Sequence, residues 1–282
     1  KVLIDTNPSE YLRKYGYDEE KYQALLDAIL YDSLWSDMDI GKYDSCKEIV
    51  EIYVEKHKEL ETEMASLADL DGFGGFFAWD EPFPKTDILE RIAEYAAWFD
   101  GVYGDNATFM VNLFPSYYSD WSSGDYKSYA DYIEAYCDIV LSQITNGTKY
   151  LMMDTYPVNA NGTFDQTFMY DMAVLKHYAL EYGAEANTIL QACGWDNETH
   201  DKAPNEAQYR LMYYTALAFG MDSVGWWGYS PESENPTVIL PNQTPVDINN
   251  NTTAAYEAIK AVNTEVCGCI GDTCVNSLDL SI

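Results

Sequence analysis

Strand-like and helix-like blocks alternate along this chain from about residue 74, and this alternation limits the fold more than any other feature. Strands that are apolar on both faces, each followed by an amphipathic helix, are typical of a parallel sheet covered by helices. The sequence therefore predicts an α/β fold. The apolar runs that predict strands lie at 75–79, 108–114, 150–154, 188–193 and 222–227.

No glycine-rich phosphate loop follows these runs, which disfavours a Rossmann arrangement and favours a (β/α)₈ TIM barrel. With residues 1–6 included, about six strands are found where such a barrel needs eight, and an incomplete barrel would leave sheet edges unpaired. We therefore predict a barrel over residues 1–266 that lacks its first two strand–helix units, which an upstream segment or another chain would supply. Residues 267–282 are predicted to form a cysteine-containing C-terminal segment that leads out of the barrel.

Charge narrows the range of partners. The chain has 47 acidic and 16 basic residues, for a formal net charge of -31. Such a surface repels nucleic acid phosphates, so we expect no nucleic acid partner. It is compatible with neutral or cationic ligands, with bound calcium, or simply with a highly soluble secreted surface. No apolar run approaches the roughly 18 residues of a membrane span.

Two sequence features indicate an extracellular or cell-surface location. The first is an even number of cysteines, six, of which Cys267, Cys269 and Cys274 are clustered and predicted to form disulfides, whereas Cys137 and Cys193 are equally compatible with core thiols. The second is a dense set of Asn-X-Ser/Thr sequons, which are acceptors for N-glycosylation. The predicted acceptors are Asn106, Asn146, Asn161, Asn197, Asn242, Asn250 and Asn251.

Acidic, amide and aromatic residues follow the predicted strands, where barrel enzymes place their active sites. Lysine, arginine and histidine are absent from these positions, which argues against phosphoryl transfer, Schiff-base chemistry and a nucleophilic triad. Paired carboxylates instead suit glycoside hydrolysis, with Glu81 and Asp154 as the catalytic candidates. We predict neither a cofactor nor a metal.

The aromatic residues near the strand ends favour a carbohydrate ligand. Flat rings can stack on the apolar face of a sugar while amides and carboxylates bind its hydroxyl groups, although each ring alone could simply pack beneath a loop. The predicted substrate-binding residues are Trp79, Asp80, Asn112, Tyr156, Gln191, Trp195, Trp226, Trp227 and Tyr229.

Several short motifs resemble strands of the clan A glycoside hydrolases, the β-galactosidase-like (β/α)₈ barrels. The segment 75–82, Gly-Phe-Phe-Ala-Trp-Asp-Glu-Pro, is similar to the fourth strand of that clan, and 111–115, 153–157 and 217–231 are similar to later strands. The resemblance implies that Glu81 is the acid/base residue and that Asp154 and Tyr156 are substrate or charge contacts.

Two departures from the clan pattern leave two functions open. Asp80 stands where the clan has an asparagine, and Gln191 stands where its nucleophilic glutamate would end the seventh strand. Asp154, Asp196 or Glu232 could supply the second carboxylate of an extracellular hydrolase that acts on a neutral oligo- or polysaccharide. Otherwise the chain is an inactive barrel that serves as a carbohydrate-binding or structural part of a glycosylated cell-surface assembly.

Overall fold

A computed structural model describes most of the chain beyond residue 72. The described residues are 73–118, 121–195, 202–231 and 243–267, with the single positions 58, 62, 66, 200 and 239. The described strands and helices belong to one of the two compact units into which the chain divides.

Five parallel strands form one sheet and lie in it in chain order. The sheet curls into a half-barrel, which confirms the α/β class, whereas closure into eight strand–helix units stays a prediction, as does the barrel boundary at residue 266. The strands are β1 (Gly75–Asp80), β2 (Thr108–Leu113), β3 (Tyr150–Thr155), β4 (Glu185–Gln191) and β5 (Ser223–Trp227).

A helix follows each strand, as the alternating pattern predicts. The helix after β4 shows why the sequence starts a helix there: the Asn205 side chain accepts a hydrogen bond from the backbone N–H of Gln208, and the Gln208 side chain accepts one from the backbone N–H of Asn205. This reciprocal cap satisfies two donors that a helix start would otherwise leave unpaired. The helices are α1 (Thr86–Tyr103), α2 (Tyr129–Ile139), α3 (Thr167–Tyr182), α4 (Glu206–Ala218) and α5 (Ala254–Glu265).

Aromatic packing joins the sheet to its helices. The Phe76 ring of β1 lies 5.8 Å from the Phe99 ring and 5.9 Å from the Tyr103 ring, both on α1. Phe99 and Tyr103 are almost completely buried. Burial of an apolar side chain of this size contributes about 1.5–3 kcal/mol to the stability of the fold. This aromatic layer therefore holds the helices against one face of the sheet, and other residues line the opposite face. None of the helices in the described ranges has the length and apolar character of a transmembrane segment.

Gly75 lets the first two strands come together. Its φ is 144°, and a Cβ atom at this position would collide with the backbone carbonyl of Thr108 on β2. We predict that Gly75→Ala lowers the free energy of unfolding by about 2 kcal/mol or more, measured by urea denaturation. Gly74→Ala is the matched control, because a Cβ there meets nothing within 4 Å. Equal effects of the two substitutions would contradict this role of Gly75.

Candidate active site

The parallel register brings polar residues together at the carboxyl ends of the strands. Asp80 pairs with Asn112, and Asn112 pairs with Met152 of β3, two residues before Asp154. Paired residues share a face and side chains alternate along a strand, so Asp80, Asn112 and Asp154 point to the same face of the sheet. An irregularity in β1 between Phe77 and Trp79 shifts the alternation there, so Asp80 points to the face opposite that of Phe76. The Asn112 side-chain nitrogen donates a hydrogen bond to Asp80 Oδ1 at 2.9 Å, so β1 and β2 are joined on this face by their side chains as well.

Glu81 follows β1 directly and has an unusual backbone conformation. Its φ is 45°, in the left-handed region that few residues other than glycine adopt. Its backbone N–H donates to the carbonyl of Asn112 at 2.8 Å, which extends the β1–β2 pairing by one residue. A conformation of this kind costs about 1–3 kcal/mol and is retained where the surroundings enforce it, often at functional sites.

Burial and two negative neighbours raise the pKa of Glu81. The pKa rises from its ordinary value of 4.5 to about 8, first because burial penalises the charged form, then because Asp154 and Asp80 lie nearby. A carboxyl group with this pKa holds its proton at neutral pH, which a general acid requires.

Asp154 is almost completely buried and is only 4% exposed. Burial raises its pKa to about 6, although hydrogen bonds from the side chains of Tyr156 and Asn112 to the carboxyl group partly offset that rise. Asp154 is therefore mostly ionised at neutral pH, while Glu81 is mostly protonated. Two neighbouring carboxyl groups that differ in this way can share acid and base roles.

Three aromatic side chains pack together beside these carboxylates. The Tyr156 ring centroid lies 5.2 Å from that of Trp195 and 5.1 Å from that of Trp227, and the two tryptophan rings are 5.4 Å apart. His200, which the sequence analysis did not select, stacks on Trp195 at 4.2 Å, and its Nε2 lies 3.1 Å from the Tyr156 carbonyl oxygen. A single histidine outside any motif gave no sequence signal for this contact.

Tyr117 also lies in this neighbourhood, although it is not among the predicted substrate-binding residues. The hydroxyl of Tyr117 hydrogen-bonds to the backbone N–H of Tyr156, and its pKa is raised by burial and then by the charge of Asp154. The side chain as a whole is nevertheless 41% exposed. Its ring is thus accessible beside the carboxylates.

Two of the predicted substrate-binding residues have other contacts. The Gln191 side chain is fully buried; its oxygen accepts from the backbone N–H of Val158 at 3.0 Å, and its nitrogen donates to the carbonyls of Val158 and Cys193, both at 3.3 Å. Trp226 packs against Tyr209 of α4 at 5.5 Å, on the helix-facing side of the sheet. These geometries give Gln191 and Trp226 structural contacts, and their roles in binding substrate stay predictions.

The remaining predicted residues lie on the surface or outside the described ranges. Trp79 is 37% exposed and Tyr229 is 55% exposed. The alternative carboxylates Asp196 and Glu232 fall outside the described residues. Within the ranges that the structure describes, no group of three or more His, Cys, Asp or Glu side chains converges as metal ligands would.

The modification sites remain predictions. Asn106, Asn146, Asn161, Asn250 and Asn251 are exposed, and Asn197 and Asn242 lie outside the described residues. Cys137, Cys193 and Cys267 have free thiols, whereas the remaining three cysteines are not among the described positions.

The raised pKa of Glu81 predicts a pH-dependent effect on stability. A folded-state pKa above 4.5 means that the stability contributed by the protonated group is lost as pH rises from about 4.5 to about 8. Gln cannot ionise, so we expect Glu81→Gln to be more stable than the wild type at pH 8, by on the order of 2 kcal/mol, and similar to it at pH 4.

Urea denaturation at the two pH values measures this difference. Glu90→Gln, which removes an exposed carboxylate from α1, is the control and should show little change between them. An advantage of Glu81→Gln that is the same at both pH values would contradict the assigned environment of Glu81.

Comparisons with known proteins place the chain only distantly. No protein-family model matches it, and no curated protein matches its sequence. Its fold is similar to the crystal structure of a putative alpha-L-fucosidase from Bacteroides thetaiotaomicron VPI-5482, with a TM-score of 0.44 and 13% sequence identity, over 92% of this chain and 77% of that chain. A likeness at this level is a distant one, and the interpretation of the site therefore rests on its own geometry.

Proposed function

We propose that this protein is a glycoside hydrolase that uses Glu81 as its general acid on an oligo- or polysaccharide. The observation that carries the proposal is the placement of Glu81 directly after β1, in a left-handed backbone conformation held by the Asn112 carbonyl and next to Asp80 and Asp154. Burial and these two neighbours raise its pKa to about 8. A glutamic acid that stays protonated at neutral pH beside an ionised aspartate is the arrangement that glycosidic bond cleavage needs.

The chemistry divides between the two carboxyl groups. Glu81 gives its proton to the glycosidic oxygen as the bond to the sugar breaks, so the leaving group departs as an alcohol. The ionised Asp154 carboxylate stabilises the positive charge that develops on the sugar ring. A water molecule then adds its hydroxyl group to the sugar and gives its other proton back to Glu81. Asn112 positions both groups, because its backbone carbonyl accepts the Glu81 N–H and its side chain hydrogen-bonds to the Asp154 carboxyl group as well as to Asp80.

The aromatic cluster supports a sugar as the ligand. Tyr156, Trp195 and Trp227 lie together at the carboxyl ends of β3, β4 and β5, on the part of the sheet next to Asp154. Rings in such a position can stack on the apolar face of a pyranose. The exposed ring of Tyr117 adds a further contact surface near Asp154.

The exposed sequons support an extracellular or cell-surface location. Asn106, Asn161 and Asn250 lie on the surface, where a glycan could extend into solvent. A location outside the cell is also where a hydrolase would meet polysaccharides.

One observation favours a second function, that of a carbohydrate-binding barrel without catalysis. Position 191 holds a glutamine, which supplies no carboxylate, and its amide is bonded to backbone groups of Val158 and Cys193. If Asp154 cannot replace such a carboxylate in stabilising the sugar cation, the site binds a sugar without cleaving it.

The general-acid role of Glu81 predicts a dependence on the leaving group. Glu81→Gln should lower kcat by about 10²–10⁴-fold on alkyl glycosides, whose leaving alcohol needs a proton. The loss should be much smaller on 2,4-dinitrophenyl glycosides, whose leaving group departs without one. Steady-state kinetics on a panel of common hexosides would measure both values.

Glu90→Gln is the control for this experiment, because it removes an exposed carboxylate of α1 and should leave kcat unchanged. Equal losses on both classes of substrate would contradict proton donation by Glu81. A wild-type protein that binds sugars but turns over no member of the panel would favour the non-catalytic function.

A further inference from the structure

The candidate site has an excess of negative charge. The charge comes from Asp80 and Asp154, which lie close enough to Glu81 that both raise its pKa. Among the described residues, the ion pairs of lysine and arginine are made elsewhere. They join Arg91 to Asp87, Lys176 to Asp222, and Arg210 to Glu206 and Glu265.

Two oxygens in the same site have no donor. Asn112 Oδ1 and Asp154 Oδ1 are buried and have no hydrogen-bond partner, and their residues are only 2% and 4% exposed. The two groups are adjacent, because the Asn112 side chain also hydrogen-bonds to the Asp154 carboxyl group. A buried acceptor without a donor lowers the stability of the folded protein by about 1–3 kcal/mol. These two oxygens therefore favour a ligand that supplies hydrogen-bond donors.

We propose that the site binds a saccharide with a free, protonated amino group, which would donate hydrogen bonds to Asn112 Oδ1 and Asp154 Oδ1 beside Asp80 and Glu81. An ammonium group offers several N–H donors and one positive charge, so it can pair with the two oxygens and also compensate the negative charge of the site. A sugar hydroxyl can donate to one of the two oxygens, but it leaves the negative charge uncompensated. The ligand thus differs from the neutral saccharide that the sequence predicts.

The proposal rests on the proposed function for its sugar, but it is a statement about binding and does not require turnover. Hydrolysis of neutral glycosides without a preference for amino sugars would support the hydrolase and overturn this inference. A preference for amino sugars without hydrolysis of any glycoside would support this inference and overturn the hydrolase.

Two β-1,4-linked disaccharides test the proposal directly. Cellobiose and fully deacetylated chitobiose share the same glucopyranose backbone and differ at C2, where one has a hydroxyl group and the other an ammonium group. Isothermal titration calorimetry at pH 6.5 and low ionic strength should show the amino disaccharide binding about tenfold more tightly or better, a difference of about 1.4 kcal/mol.

Variants separate the site from the overall charge of the protein, since a net charge of -31 attracts any cation. Asp80→Asn and Asp154→Asn should each reduce the preference for the amino disaccharide. Glu94→Gln removes an exposed carboxylate from α1 and should leave it unchanged. Asp80 is itself exposed, so Asp80→Asn is expected to fold even if the variant of the buried Asp154 does not.

Three results would overturn the proposal. The first is binding of cellobiose that is as tight as, or tighter than, binding of the amino disaccharide. A preference that persists in Asp80→Asn would come from the general surface charge. Failure of both disaccharides to bind the wild-type protein would also contradict the proposal.

Discussion

The parallel pairing of β1, β2 and β3 is the constraint on which the rest of the site depends. It sets Asp80 beside Asn112 and carries Asp154 to the same face, two residues beyond the partner of Asn112. The helices cover the opposite face, where aromatic packing such as that of Phe76 on Phe99 holds the layers together. Because the apolar layer fixes the strands, the polar residues at their carboxyl ends are held close together despite their mutual repulsion.

That repulsion has a cost and a chemical use. Burial and neighbouring charge raise the pKa of Glu81 to about 8 and burial raises that of Asp154 to about 6, and both shifts destabilise the folded protein at high pH. Glu81 also has a left-handed backbone conformation. Strain and unfavourable charge at one position are typical of functional sites, where stability is lost in exchange for reactivity or binding. The two unpaired oxygens of Asn112 and Asp154 are a further sign that this site is completed by a ligand.

The sequence predicts much of this fold because its signals are local. The apolar runs place β1 and β5 to within about a residue. Asp80 follows such a run, Asp154 ends one, and Asn112 is the polar residue near the end of another, so all three are recognised from the sequence. The predicted position of β4 is shifted by two to three residues, because the strand begins at Glu185 and ends at Gln191, whereas the apolar run covers 188–193. Its first residues are polar or small, so hydrophobicity alone could not locate its start.

The contacts that the sequence did not reveal depend on the direction of side chains and on loops. Trp226 and Trp227 are adjacent and must point to opposite faces of the sheet, so only one of them can lie near Asp154. The structure turns Trp226 towards α4 and Trp227 towards Tyr156. The stacking of His200 on Trp195 arises between segments that no pattern connects. The engagement of Gln191 with Val158 likewise depends on the path of the loop after β3.

The most direct test of this account is the titration of the Glu81 carboxyl group, followed by ¹³C NMR in the wild-type protein and in Asp154→Asn. The account predicts a pKa near 8 in the wild type, and a lower value once the negative charge of Asp154 is removed. Asp87→Asn, an exposed substitution on α1, should leave the pKa of Glu81 unchanged. A Glu81 carboxyl group that titrates near 4.5 in all three proteins would contradict the shared charge on which the site, its chemistry and its ligand depend.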